Sequence, residues 1–283
     1  CERKDLNVDV LSAPWGEVVS PEAIENKLKE KKYAAITVTH VDTSTGACAP
    51  IQQIGGILKK FPETVYIVDG VAATAGEREY VDDMGIDILF TGSQKAFGVA
   101  PGLAILWAGK KALARRKALG TIPEFYIDFE KWIPIMNDPS KYFATPAVNM
   151  IWALKESVRL LKEEGIEERY DRHTKVSKAI HLALESLGFK ILAKQENRCS
   201  TLSNVLYPEG IDDVEFRKVM SEEGAMVAGG LAAYAGKLFR LGHMGNIDDH
   251  TVYSVMAAIE RTLIKLGYKY EKGIGLKTLI ENM

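Results

Sequence analysis

A chain of 283 residues has room for one large or two ordinary domains. Its hydrophobic content of 47%, charged content of 26% and net charge of −2 suit a globular protein and exclude the strong field that nucleic acid or an acidic membrane would answer. Three cysteines, Cys1, Cys48 and Cys199, show no CxxC spacing, which argues against a disulfide framework or a zinc site and for an intracellular, reducing compartment. No apolar run has the length of a membrane span, and the charged opening does not read as a signal peptide.

Residues 8–11 read as a strand. Ser20 is a capping residue with Pro21 at the first helical position, so a helix runs to about residue 32. The β-branched stretch 33–39 is a strand, and the turn-rich Asp42-Thr43-Ser44-Thr45-Gly46 follows it. A helix over 51–60 leads to a strand at 64–69, with further strands at 86–90 and 103–107. Short apolar strands separated by helices imply a mostly parallel α/β sheet covered on both faces, with right-handed crossovers. The stretch 121–145 breaks the pattern: it is rich in aromatics, carries Pro123, Pro134 and Pro139, and reads as a long functional loop or interface arm. A long helix follows Pro146, with Trp152, Leu154, Val158 and Leu161 at helical spacing, and an amphipathic helix spans about 166–187. The remainder reads as a smaller α+β unit, with strands near 189–192, 202–206, 226–228 and 238–241 and helices near 213–221 and 248–266. The expected division is a large domain over 1–164 and a small domain over 165–283.

In open parallel sheets, ligands sit beyond the carboxyl ends of the strands. Three polar groups fall there: residues 40–45, Asp69, and Ser93-Gln94-Lys95. Asp69 is either a turn or capping aspartate, or the counter-ion of a cationic ligand group such as a pyridinium nitrogen. Most lysines are solvated. Lys95, however, lies between glycines after an apolar strand, in a tight turn at the mouth of the sheet. Desolvation or a nearby positive charge there frees an amine for Schiff-base formation. His40 either lines this pocket or is a satisfied core histidine. Gly229-Gly230 lets backbone approach substrate or is a simple turn. His173, His181, His243 and His250 show no ligand spacing, so no metal is expected. The charged run 155–169 reads as a solvated helix face.

The segments Val68-Asp69-Gly70-Val71 and Asp87-Ile88-Leu89-Phe90-Thr91-Gly92-Ser93-Gln94-Lys95-Ala96 resemble the signature of class V aminotransferases, fold type I enzymes of pyridoxal 5'-phosphate (PLP). More narrowly, the chain is similar to the alanine–glyoxylate and serine–pyruvate aminotransferases over essentially its whole length. Thr39-His40-Val41-Asp42-Thr43-Ser44-Thr45-Gly46 resembles the family's His-Gly-Glu-Ser-Ser-Thr-Gly segment, with Val41 and Asp42 departing from Gly-Glu. The resemblance implies a seven-stranded-type PLP-binding domain and a homodimer in the cytoplasm. It implies Lys95 as the Schiff-base lysine, Asp69 as pyridinium partner, Val71 on a ring face, Thr43 as a hydroxyl contact and Gln94 as a phosphate ligand. Gly236-Lys237-Leu238-Phe239-Arg240-Leu241-Gly242 resembles the segment holding the arginine for the substrate carboxylate. That role needs the bidentate fork of Arg; without the resemblance, Arg240 reads equally as a surface salt bridge. Tyr142 and Thr145 match a pair that reaches the phosphate of the other subunit, while Thr145 also reads as an N-cap before Pro146. The implied reaction passes an amino group from alanine or serine to glyoxylate or pyruvate.

The family's main phosphate loop and ring-stacking aromatic are expected before Cys1, and Trp15 lies in the wrong segment to replace the latter. The chain is therefore expected to lack an N-terminal part and to hold PLP weakly by itself. Two rivals stand beside this reading. One is a cysteine desulfurase, which would need Cys199 as a nucleophile in a surface turn. The other is a truncated, non-catalytic dimerisation partner.

Overall fold

The computed structural model describes residues 6–283; the charged opening with Cys1 lies outside them. The first half alternates strands and helices: α1 (Pro21–Glu30), β1 (Ala35–Thr39), the ribbon β2 (Val41–Asp42) and β3 (Ala47–Cys48), α2 (Ile51–Leu58), β4 (Val65–Asp69), β5 (Ile88–Gly92) and β6 (Ala104–Ala108). Four strands form one sheet in the order β1-β4-β5-β6. β1, β4 and β5 are parallel, whereas β6 returns antiparallel to β5. The physical reason is the connection, because no helix stands between β5 and β6, and only antiparallel neighbours dispense with a crossover.

Four helices follow: α3 (Lys110–Ala118), α4 (Phe129–Asn137), α5 (Val148–Glu164) and α6 (Ile166–Ser186). The second sheet is antiparallel, in the order β7-β8-β10-β9, from β7 (Lys190–Ile191), β8 (Leu202–Leu206), β9 (Ala228–Gly229) and β10 (Leu238–Gly242). α7 (Asp213–Glu222), α8 (Asp249–Lys265) and α9 (Ile274–Asn282) complete the chain. The core of this part gathers Leu184, Phe189, Phe216, Phe239, Met256 and Ile259 between the sheet and its helices. A separate core joins α1, α2 and the first sheet through Leu28, Ile54, Tyr66, Val68 and Leu89.

Several expectations change. Residues 8–11 form no strand: Val8 and Val10 are exposed and pair with no ladder among the described residues. The stretch 121–145 is not structureless, since it holds α4 and a 3-10 turn over Pro139–Lys141. Asp128 nucleates α4 by accepting from the Glu130 amide, and Arg116 locks that carboxylate with two 2.6 Å contacts. Pro134 lies in the interior of this helix. Thr145 is no cap, because α5 starts three residues later at Val148, with Ala147 in the cap position and no side-chain cap. α3 and α9 carried no clear pattern: α3 buries only Ala112, and α9 buries Gly275 and Leu279 against neighbouring helices. Among the described residues, no helix is long and apolar enough to cross a membrane.

Candidate active site

The parallel register sets the site. Thr39 stands beside Asp69, and Asp69 beside Phe90, so β1 and β4 end level while β5 runs on two residues to Gly92. Beyond those ends, the His40 amide donates to the Asp69 carbonyl at 2.9 Å, and the Gly70 amide to the Phe90 carbonyl at 2.9 Å. The Thr91 hydroxyl adds a bond to the Gly70 carbonyl at 3.2 Å. Asp69 is half-buried, and its Oδ1 accepts from the Val71 amide at 2.9 Å. It is thus a turn aspartate, but the turn uses one oxygen only. Among the described residues, no cation pairs with it and its other oxygen accepts nothing. Val71, half-buried, follows directly in the same turn.

Ser93 builds the Lys95 turn. Its amide donates to the Leu103 carbonyl at 3.1 Å, its hydroxyl donates to the Ala100 carbonyl at 2.8 Å, and its carbonyl accepts from the Val99 amide at 3.0 Å. The turn closes where the Gly98 amide, at φ 66°, meets the Lys95 carbonyl at 2.9 Å. Lys95 is half-buried, and its amine has neither an ion pair nor a hydrogen bond among the described residues. Gln94 is exposed and folds back over Gly92, where a Cβ would lie 2.5 Å from the Gln94 Oε1.

The 42–46 turn is wound about Asp42, whose carboxylate accepts from the Ser44 amide (2.8 Å), the Ser44 hydroxyl (2.7 Å) and the Thr45 hydroxyl (2.9 Å). Thr43 is half-buried at its tip, and its hydroxyl makes no hydrogen bond among the described residues. The second sheet reaches this turn through Asn204, whose amide nitrogen donates to the Ser44 carbonyl at 2.7 Å and the Thr43 carbonyl at 3.3 Å. Asn204 lies directly opposite Arg240 in the β8–β10 ladder, so both side chains leave the same face. Arg240 therefore stands on the face that meets Thr43 and Ser44. Its Nε donates to the Gly229 carbonyl at 2.8 Å, and no carboxylate pairs with it among the described residues. The surface salt-bridge reading of Arg240 is thereby corrected, and the Gly229 carbonyl becomes part of its mounting.

Tyr142 and Thr145 are exposed, and neither side chain makes a hydrogen bond among the described residues. They flank Phe143, which packs edge-to-face with Phe125, Tyr126 and Trp132. His40 is a satisfied interior histidine: its Nδ1 lies 2.7 Å from the Glu79 Oε1, and both side chains are buried. Glu79 was unmarked in the sequence because nothing in its spacing links it to His40.

Cys199 corrects the desulfurase alternative. It is buried rather than in a surface turn, and its thiol donates to the Leu202 carbonyl at 3.0 Å. Burial pushes the thiol up to about 12, so neither a thiolate nor a mobile nucleophile is present. Arg169 also departs from expectation: it ends the run read as a solvated face, yet its side chain is 2% exposed. His173, His181 and His243 are buried, and desolvation holds them at about 4, 4 and 3, neutral at physiological pH. No group of three or more His, Cys, Asp or Glu residues is placed to hold a metal among the described residues.

An unpaired lysine and an unpaired carboxylate thus follow adjacent parallel strands, and an arginine of the second sheet stands on the face that meets the Thr43 turn, an arrangement compatible with a cofactor site of an α/β enzyme. The class-V aminotransferase family matches residues 1–246. The chain is 38% identical over 264 residues to an uncharacterized aminotransferase of Methanocaldococcus jannaschii, an alignment covering 93% of this chain and 68% of the relative. It is 30% identical over 281 residues to a serine–glyoxylate aminotransferase of Arabidopsis thaliana, covering 97% of this chain and 70% of the relative. The solved ureidoglycine–glyoxylate aminotransferase of Bacillus subtilis superposes with a TM-score of 0.94 at 29% identity, over 99% of this chain and 73% of that one. The chain belongs to the class-V aminotransferase family, PLP enzymes of fold type I.

The residues present fit that cofactor. An aldehyde needs a free amine, a pyridinium needs an anion without another partner, and Lys95 and Asp69 supply them from neighbouring strand ends.

Proposed function

We propose that the chain transfers amino groups between a small amino acid, alanine or serine, and a small 2-oxo acid, glyoxylate or pyruvate. Bound PLP supplies an electron sink for the substrate's α-carbon. Lys95 would hold the cofactor through Nζ. The same Nζ, when free, would serve as the base that takes the substrate's α-proton and as the acid that returns it. The Asp69 carboxylate holds the ring nitrogen protonated, which lowers the energy of charge arriving in the ring. Val71 would pack on a ring face, Thr43 would offer its hydroxyl to the cofactor, and Gln94 would bind its phosphate.

Arg240 grips the substrate carboxylate through its two Nη groups while Nε stays on the Gly229 carbonyl. This leaves the bidentate edge directed to the ligand. We further propose a homodimer in which Tyr142 and Thr145 reach the phosphate of the other subunit. Their exposure, beside an aromatic cluster with Tyr126 63% exposed, supports this. A large domain over 1–164 and a small domain over 165–283 follow the two sheets, and two free cysteines, Cys48 and Cys199, support a cytoplasmic setting.

The single observation that carries the reading is the pairing of β4 with β5, which sets an unpaired Asp69 and an unpaired Lys95 at neighbouring strand ends. Borohydride trapping of the PLP-loaded protein, followed by peptide mapping, should label Lys95. Adding L-serine or L-alanine should change the absorbance of the bound cofactor, and glyoxylate or pyruvate should reverse it. An unlabelled Lys95, or a spectrum indifferent to every amino acid, would overturn the proposal.

A further inference from the structure

Arg169 sits in the first turn of α6 and carries a guanidinium withdrawn from water. All three of its nitrogens are used. Nε donates to the Ala75 carbonyl at 2.9 Å, in the segment that follows the Asp69 turn. Nη2 donates to the Ala96 carbonyl at 2.6 Å, one peptide beyond Lys95. Nη1 meets the Glu164 carboxylate at 2.7 Å and the Asn246 Oδ1 at 3.2 Å. One side chain therefore ties the Asp69 segment, the Lys95 turn, the end of α5 and the loop after β10 into a single block.

Backbone also approaches the Lys95 turn closely at Gly245. A Cβ on Gly245 would stand 3.4 Å from the Ala96 carbonyl oxygen and 3.6 Å from that of Lys95. Gly245 is held there by the same helix. Its amide donates to the His173 Nε2 at 2.9 Å, and its carbonyl accepts from the Arg172 Nη2 at 2.9 Å. His173 donates its Nδ1–H to the Arg169 carbonyl at 2.7 Å, which fixes its neutral tautomer as the one able to accept from Gly245. The Lys95 turn is thus held at the Ala96 carbonyl by a buried guanidinium fork and lies against a loop steered by the next turn of α6.

Burying a charged fork costs free energy unless every donor is matched. Here the matching acceptors are carbonyls of the two segments that carry the chemistry. We propose that Arg169 is a positioning residue for Lys95, setting the height of the Lys95 turn against the Asp69 turn and hence the reach of the amine. The inference rests on the reading of Lys95 as the cofactor-bearing lysine. Only arginine suits the place. Its donors diverge in one plane toward separate acceptors, whereas a lysine presents three donors from one atom.

The test uses the full chain with Arg169→Lys, which keeps the charge and removes the fork. In the cofactor-free protein, hydrogen exchange at the Gly98 and Val99 amides, which close the Lys95 turn, should accelerate about tenfold or more. Exchange at the β8 amides should stay unchanged. With PLP bound, borohydride labelling of Lys95 should slow. Turnover should fall on the order of 10–100-fold while the KM for the amino donor stays within about threefold, the signature of lost alignment rather than lost binding. If Arg169→Lys does not accumulate as folded protein, Glu164→Ala, which removes the carboxylate shared by the Arg169 Nη1 and the Arg172 Nε, is read by the same amides and should show a smaller acceleration there, with β8 unchanged. Unchanged exchange at Gly98 and Val99, or an equal rise in β8, overturns the inference. Wild-type protein trapped in parallel separates the two readings: an unlabelled wild-type Lys95 ends the functional proposal, whereas a labelled wild type beside an unaffected variant ends only this one.

Discussion

β4 and β5 run parallel and end in polar turns, whereas β8 and β10 run antiparallel inside a packed core. In the first region, the residues that matter most, Asp69 and Lys95, are half-buried and lack ionic partners among the described residues. In the second, Phe189, Phe216 and Phe239 pack on one another with ring centroids 5.0–5.9 Å apart, and the one chemically notable side chain, Arg240, sits on the outer face. Parallel strands deliver all their carboxyl ends to one edge, so a site collects there without any single strand being special. The antiparallel sheet has no such edge. It serves as a rigid mount that presents one arginine and reaches across with Asn204.

That division makes sharp demands. The largest effect should come from Lys95→Ala, which removes both the covalent tether and the proton-transfer group. Turnover should fall on the order of 10⁴-fold with little change in thermal midpoint, because the amine makes no protein contact among the described residues. A large loss of stability instead would mean that the turn depends on this side chain for packing. Phe239→Ala should behave in the opposite way, costing about 3–5 kcal/mol in urea unfolding through the cavity left beneath β10. Its folded fraction should still bind PLP, and a selective loss of cofactor binding would break the comparison.

The buried histidines give a pH test of the mount. Burial, helped by Arg172 and Arg169 and opposed by the Arg169 carbonyl and Glu164, holds His173 at about 4. Burial and Arg198 hold His181 at about 4. Both lie below the ordinary value of 6.5, so the unfolded chain binds protons that the folded chain refuses. Stability is full above about pH 6.5 and is lost as pH falls toward 4, on the order of 3 kcal/mol for each histidine. Urea midpoints at pH 7.5, 5.5 and 4.5 check the sign; a midpoint that rises on acidification contradicts it. The smallest effect is reserved for Arg240→Lys. It keeps the charge but loses the fork, so the KM for amino acid and 2-oxo acid should rise about tenfold, with stability within about 0.5 kcal/mol. An unchanged KM for both substrates would remove Arg240 from carboxylate recognition.

Much of this was legible along the chain. Apolar runs ending in Asp69 and preceding Lys95 declared strands and placed both residues at strand ends, because side-chain period and turn residues are local properties. Ser20 with Pro21 marked the start of α1 for the same reason. Local reasoning failed at Thr145-Pro146, a capping pattern that no helix uses, and at Pro134, which lies inside α4. It also failed at Arg169 and Cys199. A charged run gives no sign that one member turns inward, and a cysteine beside polar neighbours gives no sign that it is buried.

The sequence by itself located the strand that ends at Asp69 and the strand that precedes Lys95, since periodicity and turn residues are local, while the roles proposed for Lys95, Asp69 and Arg240 rest on the resemblance to the family. Only the tertiary structure decided that Asn204 grasps the Thr43 turn, that Gly229 mounts Arg240, and that Arg169 joins segments 75, 96 and 246. All of these except the bond to the Asn246 side chain go to backbone carbonyls outside the residue's own element. Every residue offers the same backbone groups, so their pairing with a distant side chain leaves no mark on the residue types at either end.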